Sequence, residues 1–289
     1  MKAPAFDYVR AASLAQVFEL LAQHGDAARV LAGGQSLIAT LNMRLSEPAL
    51  LVDIAGLEAL RGIALAPGGQ HLRIGALTTH TEIEASALVA QHAPLMRQAV
   101  AHIAHRAIRN LGTLGGSLAH ADPAAEWPAC MLALDATVVL QGAGGERRVP
   151  VREFFTGLYS TARAEAELIT ACEVPVLATG ERQHFDELAR RQGDYAIAGL
   201  AARGVLRGNT LHDLRLAFLS LEDRPVRALR TEAALQGRAI DEAALALATQ
   251  TLRGELHPAA DLTHSAETKL HLAGVLLQRA LRQLAQPTN

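Results

Sequence analysis

Apolar and polar positions near the N-terminus predict a helix, a strand and a second helix. Ser13 followed by Gln16 is typical of a helix N-cap, and the apolar residues after it share one helical face until Gly25 (Leu14, Val17, Phe18 and Leu21). A short apolar run over 28–32 then meets a pair of glycines, and a helical pattern resumes over 35–44. The first glycine pair is therefore expected in a turn between a strand and a helix.

The middle of the chain predicts further strands, a hairpin and two helices. The segment 110–117 contains three glycines and is expected to form a loop, because glycine destabilises a helix interior. The expected strands are 50–54, 72–77, 136–141 and 148–151, and the last two form the hairpin. Thr78 and Thr79 can cap a short helix that ends at Ala85. A longer helix is expected over 94–106.

The pattern changes after Pro175. A polar stretch over 178–183 leads to three runs typical of strands, the last two joined by a Gly208-Asn209 turn, and helical patterns follow. These features predict a separate C-terminal α+β domain. Its expected strands are 184–189, 196–206 and 211–221, and its expected helices are 227–235, 242–252 and 265–284.

The composition indicates a globular chain of about two domains and excludes several kinds of function. The 289 residues are 50% apolar and 19% charged with a net charge of −2, so no basic field favours nucleic acid. One Trp, three Tyr and six Phe are too few for a platform on which bases could stack. Two cysteines, Cys130 and Cys172, cannot supply the thiolates of an iron–sulfur cluster, and Cys130 is expected to face a core.

No segment of the sequence predicts a membrane span or a secretory signal. No uninterrupted run of about 18 apolar residues predicts a membrane span, and the N-terminus lacks the apolar segment of a secretory signal. Without a disulfide framework either, we expect a reduced, cytoplasmic protein.

Two glycine pairs beside hydroxyl-bearing residues are candidate anion sites. The segment 32–36 joins a strand to a helix, so its backbone N–H groups can converge on an anion. It lacks the lysine of a Walker loop and the three-glycine spacing of a dinucleotide fingerprint, so an ordinary glycine turn is an equally good interpretation of this segment alone. In the segment 113–117, the hydroxyls of Thr113 and Ser117 can donate to phosphate oxygens. The two segments together favour a bound diphosphate.

Several histidines and carboxylates lie near the second glycine pair. His102, His105, His120, Asp122 and Glu126 follow no standard metal-ligand spacing, so hydrogen-bonding or solvated histidines are expected instead. His102 and His105 are expected on the helix over 94–106. His120 and Asp122 directly follow the glycine segment and are suited to line a cleft.

Four motifs, in order along nearly the whole chain, resemble the FAD-binding medium subunit of the molybdenum hydroxylases. This family includes the carbon monoxide dehydrogenase flavoprotein and the flavin portion of xanthine dehydrogenase. The motifs are Val30–Leu37, Ile74–Thr79, Thr113–Ser117 and Leu188–Ala196, the last with the sequence Leu-Ala-Arg-Arg-Gln-Gly-Asp-Tyr-Ala.

The resemblance implies an α+β fold with two domains. The first, over 1–177, would be a two-lobed FAD-binding domain of the type found in p-cresol methylhydroxylase and vanillyl-alcohol oxidase, with lobes of about 1–55 and 56–177. The second, over 178–289, would be a C-terminal domain like that of the carbon monoxide dehydrogenase flavoprotein, with a three- or four-stranded antiparallel sheet and helices.

The resemblance also implies which residues bind FAD. The two glycine segments would hold the diphosphate from two sides, Glu126 would contact the ribose or adenine end, Ile169 would lie beside the flavin, and Tyr195 would cover one flavin face. No catalytic residue and no metal ligand is expected. The implied cofactor-binding residues are Val30, Leu31, Ala32, Gly33, Gly34, Gln35, Ser36, Leu37, Thr78, Thr113, Leu114, Gly115, Gly116, Ser117, His120, Asp122, Glu126, Ile169 and Tyr195.

One departure from the family pattern lies just before the last motif. Relatives often carry a lysine there, whereas this chain has Asp186-Glu187. A positive group near a flavin would stabilise its anionic reduced form. The flavin potential and the electron acceptor (NAD, oxygen, a quinone or a redox protein) therefore stay open, as does the substrate.

The function implied is electron transfer within a complex. A large molybdopterin-binding subunit would oxidise a small substrate, a small subunit with [2Fe–2S] clusters would relay electrons, and FAD on this chain would pass them to an acceptor. The complex would be a heterotrimer or its dimer. Two alternatives remain at this point: a free-standing FAD-dependent oxidase or dehydrogenase, and a nucleotide-binding assembly subunit without catalysis.

Overall fold

The computed structural model describes residues 2–286. Up to Pro175 the chain builds a three-stranded sheet, a five-stranded sheet and a two-stranded pair. Its strands are β1 (Asp7–Arg10), β2 (Ala28–Leu31), β3 (Leu50–Asp53), β4 (Ile63–Leu65), β5 (His71–Gly75), β6 (Thr137–Gly142), β7 (Gly145–Pro150), β8 (Phe155–Gly157), β9 (Ser160–Thr161) and β10 (Leu168–Pro175). Its helices are α1 (Leu14–His24), α2 (Leu37–Asn42), α3 (His80–Ala85), α4 (Ala87–His92), α5 (Pro94–Ala99), α6 (Arg106–Arg109), α7 (Leu114–His120) and α8 (Glu126–Leu134).

The small sheet is parallel, with the strand order β1-β3-β2. Helix α1 packs against it and follows the sequence prediction closely. Ser13 caps the helix by accepting a hydrogen bond from the Gln16 N–H, and the helix ends at Gly25, whose φ is +49°. Ligands of open parallel sheets usually bind outside the carboxyl ends of the strands. The glycine segment after β2 lies at that edge.

The larger sheet is antiparallel, with the order β4-β5-β10-β6-β7. Its centre is β10, in which residues Leu168–Cys172 are all buried. The hairpin predicted around Gly142–Gly145 is formed by β6 and β7. Helices α4, α7 and α8 contact the strands of this sheet and enclose the largest apolar core of the molecule.

The C-terminal part forms an antiparallel sheet with the order β11-β12-β13-β14, and a short strand, β15, pairs with β13. The α+β class and the antiparallel sheet expected from the sequence are confirmed. The strands are β11 (Glu181–Ala189), β12 (Ala196–Arg207), β13 (Thr210–Leu219), β14 (Val226–Arg227) and β15 (Arg238–Ala239), and the helices are α9 (Leu229–Leu235), α10 (Glu242–Arg253) and α11 (Ala266–Ala285).

This C-terminal sheet has helices on both faces. Helix α11 contacts β11 and β12 from one side, and α5 and α8 contact the sheet from the other. Neighbouring residues of β11 therefore face different layers: Phe185 is buried in the core that contains α8, whereas Leu188 packs against the core that contains α11. No helix within residues 2–286 is long and apolar enough to cross a membrane.

Two predictions for the middle of the chain were wrong. The helix expected over 94–106 is broken, because α5 ends at Ala99, Ala104 has a φ of +42° and α6 begins only at Arg106. His102 consequently lies in the turn between α5 and α6 instead of on a helix, and His105 is the N-cap of α6.

The second wrong prediction concerns the glycine-rich segment. Residues 114–117 were expected to form a loop, but they are the first turn of α7. Thr113 stabilises this turn as its N-cap, since its side chain accepts a hydrogen bond from the Gly116 N–H.

The break between α5 and α6 predicts that Ala104→Gly stabilises the protein. A left-handed backbone costs an L residue about 1 kcal/mol or more, and glycine adopts it without that strain. We expect the free energy of unfolding, measured by urea titration, to rise by up to about 1 kcal/mol. The same substitution at Ala90, exposed on α4, should lower it by about 0.5–1 kcal/mol. Equal destabilisation of both variants would contradict the prediction.

Candidate functional site

The first glycine segment presents backbone donors that the protein does not use. Within residues 2–286, no group accepts a hydrogen bond from the N–H of Gly33, Gly34, Gln35 or Ser36, and Ser36 makes no side-chain cap at the start of α2. Gly34 has a φ of +71°, and the Gln35 side chain donates to the Gly33 carbonyl over 2.9 Å. Consecutive unpaired N–H groups of this kind form an anion-binding concavity.

The second glycine segment uses its donors internally. The Leu114 N–H donates to the Thr78 carbonyl over 3.0 Å, and the Gly115 N–H donates to the Ala76 carbonyl over 2.8 Å. The Gly116 N–H donates to Thr113 Oγ1 over 3.1 Å. The first turn of α7 is therefore saturated, and what this segment can offer a ligand is close backbone approach and the hydroxyl of Ser117.

The two segments meet backbone to backbone. A Cβ atom on Gly33 would lie 2.0 Å from the Leu111 carbonyl oxygen, so only glycine allows this contact. A Cβ on Gly116 would lie 4.0 Å from the Cβ of Ala32. The unpaired N–H groups of the first segment thus lie beside the second segment and the residues that precede it. Val30 and Leu31 end the strand that leads to it, and Leu37 begins α2.

A buried histidine, His80, links the residue before the second glycine segment to helix α8. The backbone N–H of His80 donates to the Gly112 carbonyl over 3.0 Å, and the Trp127 indole N–H donates to the ring Nδ1 of His80 over 3.0 Å. Burial lowers the pKa of His80 to about 4, so its ring is neutral at pH 7 and can accept this bond. Thr78 is fully buried as well, and its hydroxyl both donates to and accepts from the backbone of Gly62 at 3.1 Å.

Aromatic and acidic side chains cluster beyond the end of α7. The rings of His120 and Tyr159 lie 5.1 Å apart, and Tyr195 is 71% exposed. Desolvation and then the negative charge of Asp122 raise the pKa of both tyrosines, which indicates that these groups share one region. Sequence reasoning missed Tyr159. Its signal in the structure is a φ of +51° on an exposed aromatic residue.

Two other predicted site residues occupy different environments. Ile169 is only 3% exposed and lies in the core on β10, opposite Leu140 of β6. Glu126 is the first residue of α8 and is partly buried. Burial, followed by the charge of Glu187, raises the pKa of Glu126 to about 8, so its carboxyl is mainly protonated at pH 7.

The Asp186-Glu187 pair is split between the two faces of β11. Asp186 pairs with Arg279 of α11 over 3.2 Å, whereas Oε1 of Glu187 lies 3.4 Å from His102 Nδ1. His102 is thus a hydrogen-bonding histidine, as expected, although the helix expected around it is absent. Within residues 2–286, no three His, Cys, Asp or Glu side chains are arranged to hold a metal ion.

The two parts of the chain match two known family models. Residues 4–177 match the family model described as the FAD binding domain in molybdopterin dehydrogenase, and residues 183–284 match the carbon monoxide dehydrogenase flavoprotein C-terminal domain.

Individual relatives match along their whole length. The alpha subunit of the 6-hydroxypseudooxynicotine dehydrogenase complex of Paenarthrobacter nicotinovorans is 39% identical, and the alignment covers 100% of this chain and 98% of the relative. The solved carbon monoxide dehydrogenase of Hydrogenophaga pseudoflava contains a chain that is 36% identical with a TM-score of 0.95, covering 98% of each chain. Quinoline 2-oxidoreductase of Pseudomonas putida 86 contains one that is 39% identical with a TM-score of 0.93, covering 99% of each chain.

Proposed function

Because this chain belongs to the FAD-binding medium subunits of the molybdenum hydroxylase family, we propose that it transfers electrons from the [2Fe–2S] clusters of a small partner subunit to an external acceptor. A large molybdopterin-binding subunit completes the complex and carries out the substrate chemistry. The complex is a heterotrimer or its dimer and works in the cytoplasm. The cofactor of this chain is FAD.

The observation that carries this proposal is the meeting of the two glycine segments. Four consecutive N–H groups, from Gly33 to Ser36, have no acceptor in the described part of the chain, and they match the oxygens of a diphosphate. In the facing segment, the N–H groups of Leu114, Gly115 and Gly116 are already paired, and Gly115 packs so closely on Ala76 that a Cβ there would lie 2.5 Å from the Ala76 Cβ. The remaining side chains of the cleft would orient the rest of the cofactor, with Tyr195 against the flavin.

FAD and the chain's own residues have different roles in this proposal. FAD supplies the ability to exchange electrons singly or in pairs. The chain's own residues hold the diphosphate, cover the ring and border the cleft with His120 and Asp122. We propose the domain division 1–177 and 178–289 on the same basis: the two parts have separate sheets, and α8 packs between them.

The proposal is tested by isolating the tagged full-length chain from its native cells. We expect FAD, iron and molybdenum to co-purify in a fixed ratio with one larger and one smaller protein, and reduction of the iron centres to bleach the flavin absorbance. The chain expressed alone should bind FAD but oxidise no substrate. Substrate turnover by the chain alone, or a chain that binds no FAD, would overturn the proposal.

Gly34→Ala is predicted to release FAD. A Cβ at a φ of +71° is strained and would lie 3.2 Å from the side chains of Ile38 and Leu31, so the anion-binding turn must shift. We expect at least about a tenfold weaker affinity, measured by quenching of FAD fluorescence. Gly69→Ala is the matched control, because Gly69 has a φ of +67° with nothing within 4 Å. Equal FAD affinity in both variants would contradict the assignment.

Tyr195→Ala is predicted to expose the flavin without releasing FAD. Since the side chain is 71% exposed, the free energy of unfolding should change by no more than about 0.5 kcal/mol. We expect a shifted flavin absorbance band and a changed rate of reoxidation, followed by stopped-flow spectroscopy. Tyr195→Phe keeps the ring and should behave as the wild type. An unchanged spectrum and rate in Tyr195→Ala would show that the ring does not cover the flavin.

A further inference from the structure

A serine directly after β13 joins distant parts of the chain through a left-handed backbone. Ser220 has a φ of +67°, a conformation that is strained for any residue with a side chain. Its backbone N–H donates to the Pro123 carbonyl over 2.8 Å, and its hydroxyl donates to the Ala196 carbonyl. Strain of this kind persists only where the surrounding structure holds the residue in place.

A buried lysine holds Ser220 from the other side. Lys269 is only 7% exposed, although it lies near the N-terminus of α11, where the helix dipole disfavours a cation. Its Nζ lies 2.8 Å from Asp261 Oδ2 and donates to the Ser220 carbonyl over 3.4 Å. Asp261 is fixed in turn, because its Oδ1 accepts from the backbone N–H groups of Thr263 and His264, each over 2.8 Å. The Ser220 carbonyl is therefore attached to a rigid ion pair.

The Ser220 hydroxyl acts next to Tyr195. Ala196, whose carbonyl accepts this hydroxyl, is the first residue of β12 and directly follows Tyr195. At the other end of the same loop, the Gln192 side chain donates to the Ala101 carbonyl over 3.0 Å. Tyr195 lies between these two attachments, and its side chain is exposed. The protein thus fixes the backbone on both sides of Tyr195 and leaves the ring free for a ligand.

The residues after Ser220 also contact the hairpin that carries Tyr159. The Arg224 guanidinium donates to the Thr156 carbonyl over 3.1 Å. Thr156 lies in β8, and Tyr159 is in the turn between β8 and β9, with its ring 5.1 Å from that of His120. The segment 220–224 therefore contacts the chain close to both exposed tyrosines.

We propose that Ser220, held by Lys269, is a positioning residue for Tyr195: by fixing the Ala196 carbonyl, it keeps the tyrosine ring where it covers the flavin. This inference rests on the FAD site proposed above. It gives the buried ion pair of Lys269 a role in the function, since it connects α11, on the far face of the C-terminal sheet, to the flavin.

The experiment compares two glycine variants in the full-length chain loaded with FAD. Ser220→Gly removes the hydroxyl and also relieves the backbone strain, so the protein stays folded. We expect the flavin absorbance band to shift as in Tyr195→Ala, and the rate of reoxidation to change in the same direction by at least about twofold, as the loss of one hydrogen bond allows. Asp213→Gly is the matched control. Asp213 lies in β13 with a φ of +48° and an exposed side chain, and its variant should leave band and rate unchanged.

A double variant separates positioning from a general loosening of the structure. If Ser220 acts through the tyrosine ring, Ser220→Gly adds no further change to the spectrum or the rate in the Tyr195→Ala background. Two effects that add would show that Ser220 does not act through Tyr195, and would overturn the proposal.

Tryptic cleavage supplies a readout that is independent of FAD. Arg190 and Arg191, in the loop before Tyr195, have exposed side chains. Cleavage follows the population of the opened loop when opening is fast. In the chain without FAD, we expect cleavage after these two arginines, identified by mass spectrometry, to be about two- to tenfold faster in Ser220→Gly. Lys269→Met should change it in the same direction, and Asp213→Gly should match the wild type.

The possible failures are distinguishable. A wild type that binds no FAD would overturn the proposed function, and this use of Tyr195 with it. A flavin spectrum and reoxidation rate that change in Tyr195→Ala but not in Ser220→Gly would overturn only the role of Ser220. Equal cleavage rates in Ser220→Gly and the wild type would also overturn that role, whether or not FAD binds.

Discussion

The backbone contact between Gly33 and the Leu111 carbonyl is the constraint on which the site depends. It can form only because position 33 has no side chain, since a Cβ there would overlap the carbonyl oxygen. The contact joins the parallel sheet of the first lobe to the helical layer of the second. This contact holds the segment with unpaired N–H groups, 33–36, beside the residues that lead into α7.

The two glycine segments that meet at this contact differ in their hydrogen bonding. In the first, the backbone stays unpaired and provides donors. In the second, the N–H groups of Leu114, Gly115 and Gly116 are paired with Thr78, Ala76 and Thr113 and are not free to bind a ligand. His80 and Trp127 then hold this second segment against α8. Mobile N–H donors would lose conformational entropy when they bind an anion. Packing against α7, whose first-turn N–H groups are hydrogen-bonded, holds the donors in place and reduces that loss.

The C-terminal part of the chain contacts the N-terminal part at the break between α5 and α6. The side chain of Gln192 donates to the Ala101 carbonyl over 3.0 Å, and a Cβ on Gly193 would lie 2.7 Å from the Ala104 carbonyl. The motif that precedes Tyr195 therefore docks onto the break between α5 and α6. This docking explains why the chain does not continue as one helix there, although its apolar spacing allows one. The sequence pattern describes local preference, and a contact with a residue some 90 positions away overrides it.

The parts of the fold that could be predicted are those whose pattern is local. Helices α1, α10 and α11 have one apolar face and an N-cap (Ser13, Asp241 and Ser265). Helix α8 was missed because it is buried on nearly all sides, so it shows no amphipathic period, and β10 was missed because it is buried on both faces. Of the site, the two glycine segments could be found from their composition. Tyr159 and the pairing of His102 with Glu187 could not, since tertiary contacts alone bring these groups together.

The Asp186-Glu187 dipeptide shows why charge near a cofactor cannot be judged from the sequence alone. Read along the chain, it places two negative charges where relatives often carry a positive one. The alternation of β11 separates them, and Arg279 neutralises Asp186 on the far face. On the near face, Glu187 Oε1 lies 3.4 Å from His102 Nδ1, and this contact raises the pKa of His102. The fold therefore does not place two negative charges side by side, because each carboxylate has its own basic neighbour in a different layer.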